Sequence, residues 1–230
     1  KVKHHLREEE SWVAHVHHPL VGAFALTTKR YRQIPKIYHF HSSWYDEEKI
    51  NSTKAEESGL KLYYKLKIIR WMEWACYRSS KSVLFLSEYT RRRFIDYYRF
   101  KKPRMRIIPG GVDTIKFCPP ENDDELNSIR KRLDLPKDHK LLLTVRRLEA
   151  RMGLDNLITA VAEIAHRSSE LKFKLLIAGK GSLSEKLKSQ AILSGLDDRI
   201  RFLGFVPDAL LPMYYAAADI FIMPTTFIEG

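Results

Sequence analysis

Residues 141–158 read LLLTVRRLEARMGLDNLI, and this stretch decides the fold. A short apolar run (Leu141, Leu142, Leu143, Val145) stops at Arg146 and Arg147. Gly153 follows, and then Leu154, Leu157, Ile158, Val161, Ala162, Ile164 and Ala165 recur at helical spacing. Strand, basic loop and helix N-terminus in that order are a unit of a parallel sheet. The order places Arg146, Arg147 and Arg151 where a strand ends and a helix dipole begins, the place where doubly wound α/β domains bind phosphates. Arginines in such loops are also ordinary solvated surface, so position alone leaves both readings open.

The same alternation runs outward in both directions. Downstream, the pattern predicts a strand over 173–178, the turn Gly179-Lys180-Gly181, a helix over 183–193, a strand over 201–205, a short helix over 210–217 and a strand over 220–223. Upstream, residues 121–134 are charged and helical from about 124, with Asp123 or Asp124 as the cap, and Phe117-Cys118-Pro119-Pro120 punctuates the chain. Before that come a short apolar segment at 12–17, a helical pattern after Pro19, a strand over 34–41, and a polar stretch at 42–59 that passes from loop to helix. A long amphipathic helix over 59–80 buries Leu62, Leu66, Ile69, Met72 and Cys76. A strand over 83–86, a helix over 88–98 capped by Ser87, and a strand over 106–108 closed by Pro109-Gly110-Gly111 complete the set. The fold class is therefore α/β: two Rossmann-like doubly wound domains facing a cleft, both truncated. The partial domains cover 1–119 and 140–230, with a linker and helix over 120–139.

Composition bounds the function. Of the 230 residues 44% are hydrophobic and 30% charged, the balance of a soluble globular protein. Two cysteines do not make a disulfide framework, which points to a reducing, cytoplasmic setting. The longest apolar candidate for a membrane span, 12–28, is interrupted by His15, His17, His18 and Pro19. The chain opens on Lys1 with no signal peptide and stops at Glu229-Gly230, straight after a strand and a turn, so an interior piece of a longer protein is expected.

The net charge of +12 is uneven: residues 61–106 hold 14 Lys/Arg against three acids, a local +11, with aromatics interleaved. Such a surface suits nucleic acid, anionic lipid headgroups or a phosphorylated substrate; the plainer reading is a solvated helical face with its aromatics in the core.

Several motifs carry or exclude chemistry. Gly179-Lys180-Gly181-Ser182 lies where a phosphate-cradling loop would, yet it is neither GxGxxG nor a Walker A motif, and a tight turn needing glycine explains it equally. His39 and His41 end a strand, a position typical of active-site groups. The histidines are not in HxxxH or HExxH form and the cysteines lie far apart, so no metal site is expected. The absence of a GxSxG elbow argues against an α/β-hydrolase.

Taken in order, LLLTVRRLEARMGLDNLITA, FKLLIAGKGSLSEKLK and RIRFLGFVPDALLPMYYAAADIFIMPTTFIEG resemble the carboxyl half of the retaining family-4 glycosyltransferases of GT-B fold. IIPGGVDTIKFCP resembles the segment that closes that family's amino-terminal domain, usually written with Asn-Gly-Val-Asp, and IYHFHSSWYDEE resembles its donor-cleft histidine strand.

The resemblance implies transfer of a sugar from a UDP- or GDP-type nucleotide-sugar to an acceptor such as a polysaccharide or lipid-linked glycan. It also implies retention of configuration and no required metal or other cofactor. Arg147 and Gly153 match the family pattern at the donor diphosphate, while Met152 occupies the family's lysine position and Arg151 stands one residue earlier as a substitute. His41 and Glu229 match the groups expected against the transferred sugar, as catalytic residues. Phe205 and Val206 match the backbone that meets the base, and Gly110, Gly111, Gly179 and Gly181 are counted with the nucleotide and sugar contacts. Peripheral contact with an anionic membrane at its inner face is a further expectation; nucleic acid is not expected.

The family's amino-terminal glycine-rich loop and its second motif glutamate have no counterpart here, so the 230-residue piece is itself expected to be inactive. The alternatives are a non-catalytic basic module for phosphate or nucleic acid, which no RRM, KH or zinc-finger signature supports, and a GT-B phosphorylase or epimerase.

Overall fold

Two four-stranded parallel sheets carry the chain in a computed structural model that describes residues 12–54, 59–99 and 104–225. The compact units divide between Gly111 and Val112. In the first, the order is β1 (Ala14–Val16), α1 (Pro19–Thr27), α2 (Lys29–Gln33), β2 (Lys36–Phe40), α3 (Trp44–Lys54), α4 (Leu60–Ser79), β3 (Ser82–Phe85), α5 (Glu88–Tyr98) and β4 (Met105–Ile107). The strands lie side by side as β1-β2-β3-β4. Right-handed crossovers that always step the same way place their helices on one face. There Tyr38, Phe40, Cys76, Tyr77, Val83, Phe85 and Phe94 form the core. The period-2 pleat turns Ile37 and His39 to the other face.

The polar stretch after β2 is helix from Trp44, earlier than its composition indicates. The reason is tertiary. The amides of Trp44 and Tyr45 donate to Oε1 of Glu73 on α4 at 2.6 and 3.4 Å, and the Asp46 amide donates to Ser43 Oγ at 3.3 Å. Ser87 caps α5 as expected, in a reciprocal box with Thr90.

The second unit runs α6 (Asp123–Arg132), β5 (Lys140–Val145), a 3-10 turn (Ala150–Met152), α7 (Leu154–Arg167), β6 (Phe173–Ala178), α8 (Ser184–Leu193), β7 (Ile200–Gly204), α9 (Leu211–Ala217) and β8 (Ile220–Phe221). Its sheet order is β7-β6-β5-β8, so the crossover direction reverses after β7. The reversal covers both faces. Ile158, Val161, Leu175, Ile177, Leu187 and Ala191 pack on one side of the sheet, and Leu133, Leu141, Leu143, Leu176 and Ala217 on the other. The cap of α6 is Asn122, whose side chain accepts from the Glu125 amide at 2.9 Å, rather than Asp123 or Asp124; both aspartates lie inside the first turn, where they still favour the helix dipole. The Phe117 ring meets Tyr215 of α9 at 5.7 Å, so the FCPP segment packs with the second unit.

Buried Arg130 on α6 joins the back of this sheet. Its guanidinium donates to the carbonyls of Ala217, Lys137 and His139 and to the carboxylate of Asp219 at 2.8 Å. Asp219 in turn accepts from the Leu141 amide, tying β5 to the approach to β8.

Candidate functional site

In the second unit the reversal of strand order falls between β5 and β8, and in open parallel sheets ligands bind beyond the carboxyl ends of the strands at such a switch point. The basic loop leaves β5 at this point. Arg146 Nη2 donates to Oγ1 of Thr225, just past β8, at 2.5 Å. Arg147 is exposed. Gly153, at φ 68°, turns the chain from the 3-10 turn into α7, whose N-terminal amides carry the positive end of the dipole.

The loop after β6 is fastened to the basic loop by backbone. The amide of Leu148 donates to Lys180 O at 3.0 Å and that of Leu183 to Leu148 O at 2.9 Å. A Cβ on Gly179, at φ 140°, would stand 1.8 Å from Arg146 O, and one on Gly181 would stand 2.3 Å from Leu148 O. Glycine is therefore required here for the approach of two backbones, the turn reading of this motif. Glu149 accepts from the Ser182 amide and hydroxyl at 3.0 and 2.7 Å; these bonds, and then the charges of Arg147 and Arg151, hold its carboxyl below the usual range. Lys180 Nζ lies 6.0 Å over the ring of exposed Phe205, which with Val206 follows β7. Phe205, Lys180, Arg146 and Arg147, and Thr225 thus follow β7, β6, β5 and β8, four neighbouring strand ends.

Met152, at the family's lysine position, faces the core and is 5% exposed. Arg151 is half-buried and precedes it in a 3-10 turn, where successive side chains point about a third of a turn apart. Gly110 and Gly111 lie in an open loop after β4, where an added Cβ would meet nothing within 4 Å. Glu229 lies outside the described residues.

His41 belongs to the first unit, and the structure places it in a group that sequence spacing does not show. β1 and β2 pair in parallel, Ala14 with Lys36 and Val16 with Tyr38, so His15, His17, His39 and His41 gather at adjacent strand ends. His17 Nδ1 and His41 Nε2 are 3.0 Å apart, and successive ring centroids lie 4.1 Å (His15 and His17), 5.3 Å (His17 and His41) and 4.3 Å (His39 and His41) apart. Partial burial, and then the neighbouring imidazoles, push His15, His39 and His41 below the ordinary histidine value, which favours the neutral ring. An HxH pair on each of two strands 24 residues apart was the only available signal, and it becomes a cluster only through strand pairing.

On α4 the aromatics divide. Tyr77 is buried with Phe85 and Phe94, whereas Tyr63, Tyr64, Ile68, Trp71 and Trp74 are exposed along one side at helical spacing, beside Lys67 and Arg70. Trp71 and Trp74 line a hollow of about 330 Å³ with Lys67, Arg70, Tyr97 and Tyr98. Among the described residues no helix is long and apolar enough to cross a membrane.

Over residues 1–116 the sequence matches the family described as Glycosyltransferase Family 4, and over 126–230 the one described as Glycosyl transferases group 1. The alpha-monoglucosyldiacylglycerol synthase of Streptococcus pneumoniae is 26% identical over 207 residues, 90% of this chain and 44% of the relative. Among solved structures, the sucrose-phosphate synthase of Thermosynechococcus elongatus superposes with a TM-score of 0.74 at 20% identity over 95% of this chain and 51% of its own. Anabaena HepE in complex with UDP-glucose gives 0.68 at 22% identity, over 92% and 51%. The chain spans under half the length of the curated relatives it matches. With half its residues matched by the first family and most of the rest by the second, this chain belongs to the family-4, group 1 glycosyltransferases, and its two sheets are of the GT-B fold.

Proposed function

We propose that this chain serves a glycosyltransferase that moves a sugar, with retention of configuration, from a UDP- or GDP-type nucleotide-sugar to a glycan or lipid-linked acceptor. The observation that carries the reading is the pair Arg146 and Arg147 at the switch point between β5 and β8, ahead of the N-terminus of α7. The leaving group of such a transfer is a nucleotide diphosphate, and a fixed guanidinium stabilises the negative charge that develops on it. Arg147 is the proposed diphosphate clamp, with Arg151 adding positive charge from the 3-10 turn rather than replacing a lysine at Met152. Phe205 and Val206 are proposed on the base side, and Glu229 and His41 as groups that meet the sugar. The transfer step itself needs no metal. Anabaena HepE, crystallised with UDP-glucose, supports a nucleotide-sugar donor. The exposed aromatic and basic side of α4 is proposed to rest on the anionic face of a membrane, from the cytoplasm.

Titration of UDP and GDP by calorimetry tests the donor site. Arg147→Ala is expected to weaken the preferred nucleotide about tenfold or more, the scale of a lost charge-assisted hydrogen bond. Equal binding by wild type and variant removes Arg147 from the diphosphate.

A further inference from the structure

The geometry points to a binding site for a divalent transition-metal ion of the zinc type, formed by His15, His17 and His39 at the carboxyl ends of β1 and β2. Each of the three histidines offers a ring nitrogen, and these atoms all lie within 4.8 Å of one another. The arrangement follows from the pleat. Parallel pairing of His15 with Ile37 and Val16 with Tyr38, carried one residue on, sets His17 beside His39, and odd-numbered positions share the face turned away from the aromatic core.

Imidazole nitrogens about 2.0–2.1 Å from a tetrahedral zinc stand roughly 3.4 Å apart. The cluster closes to that spacing by side-chain movements on the order of 1 Å, and His15 and His17 are exposed and able to make them. Both ring nitrogens of His39 are buried without a hydrogen-bond partner among the described residues, a costly state for an imidazole that a bound ion relieves at one of the two. His17 engages His41 through Nδ1, which leaves Nε2 for the ion. A ligating histidine whose other ring nitrogen donates to an acceptor is the usual outer arrangement of such sites, and here it fixes His41 as that acceptor. Three neutral imidazoles and no carboxylate select zinc, copper or nickel over magnesium or calcium, and leave one coordination position open.

The site lies wholly in the first unit and is independent of the diphosphate reading in the second; no step of sugar transfer is assigned to the ion.

The test is calorimetric titration of the 230-residue chain, free of any affinity tag and stripped with a chelator, with zinc chloride near neutral pH. One zinc per chain at micromolar or tighter affinity is expected, with no response to magnesium. His15→Gln and His39→Gln are each expected to weaken it at least about tenfold. His166→Gln, on α7 of the second unit, leaves it unchanged. His15 is exposed, so His15→Gln should melt like wild type without metal and report on binding alone. Absence of zinc binding at micromolar concentrations, or binding that survives both His15→Gln and His39→Gln, overturns the proposal.

Discussion

Gly179 and Gly181 let the loop after β6 lie directly on the basic loop after β5, with Cβ positions 1.8 and 2.3 Å from backbone carbonyl oxygens. Neither oxygen can swing away as a side chain would, because each belongs to backbone that hydrogen bonds hold in place, Arg146 N to Ala178 O and Leu148 N to Lys180 O. Gly181→Ala is therefore expected to lower the stability of the second unit by about 1–3 kcal/mol, the usual cost of overpacking. Denaturant unfolding reads this, and an unchanged midpoint would mean that the two loops part freely. Much at this scale was legible beforehand: Arg147, Gly153 and the glycine turn stand out as breaks in apolar periodicity. Arg130 was not legible, since a single arginine in a charged helix looks solvated. Only the fold brings Ala217, 87 positions away in sequence, to its guanidinium.

Helix α4 presents two chemically different faces. Inward, Glu73 is fully buried, accepts from the start of α3, and takes the Tyr98 hydroxyl of α5 at 2.5 Å. Burial raises its pKa to about 7 from the ordinary 4.5, against the opposing effect of these hydrogen bonds. The folded state then keeps a proton between about pH 4.5 and 7 that the unfolded chain has released. Stability of the first unit should therefore fall as pH rises through this window, by on the order of 3 kcal/mol in total, and level off above it. Glu73→Gln, which keeps an acceptor for the Trp44 amide, should flatten that dependence in unfolding measured across the window. A slope retained by the variant would assign it to another group.

Outward, Trp71 and Trp74 are 64% and 44% exposed beside Lys67 and Arg70. Sedimentation with vesicles should show preference for anionic over neutral lipid, reduced severalfold by Trp71→Ser with Trp74→Ser and by added salt. Equal partition onto both vesicles would count against membrane contact. Helical spacing predicted the inward face of α4 in the sequence, but not that its outer side keeps tryptophans in solvent, because periodicity cannot say which of two apolar stripes finds a partner.

Across the whole chain, alternation of short β-branched and aliphatic runs with 3.6-period segments determined the α/β class, the parallel pairing and nearly every element, since each pattern reflects a face that must be buried locally. The same reading placed the basic loop between β5 and α7. Strand order is a different matter. The consecutive β1-β2-β3-β4 sheet and the reversed β7-β6-β5-β8 sheet arise from equally regular alternations, and only packing of helices onto one or both faces separates them. That choice creates the switch point where Arg146 meets Thr225, and the strand pairing that turns four scattered histidines into one cluster. The sequence by itself determined which residues are apolar, helical or turn-forming, because those properties act over a few positions. The tertiary structure alone decided which distant strand ends become neighbours, because that depends on covering the faces of each sheet along its whole width.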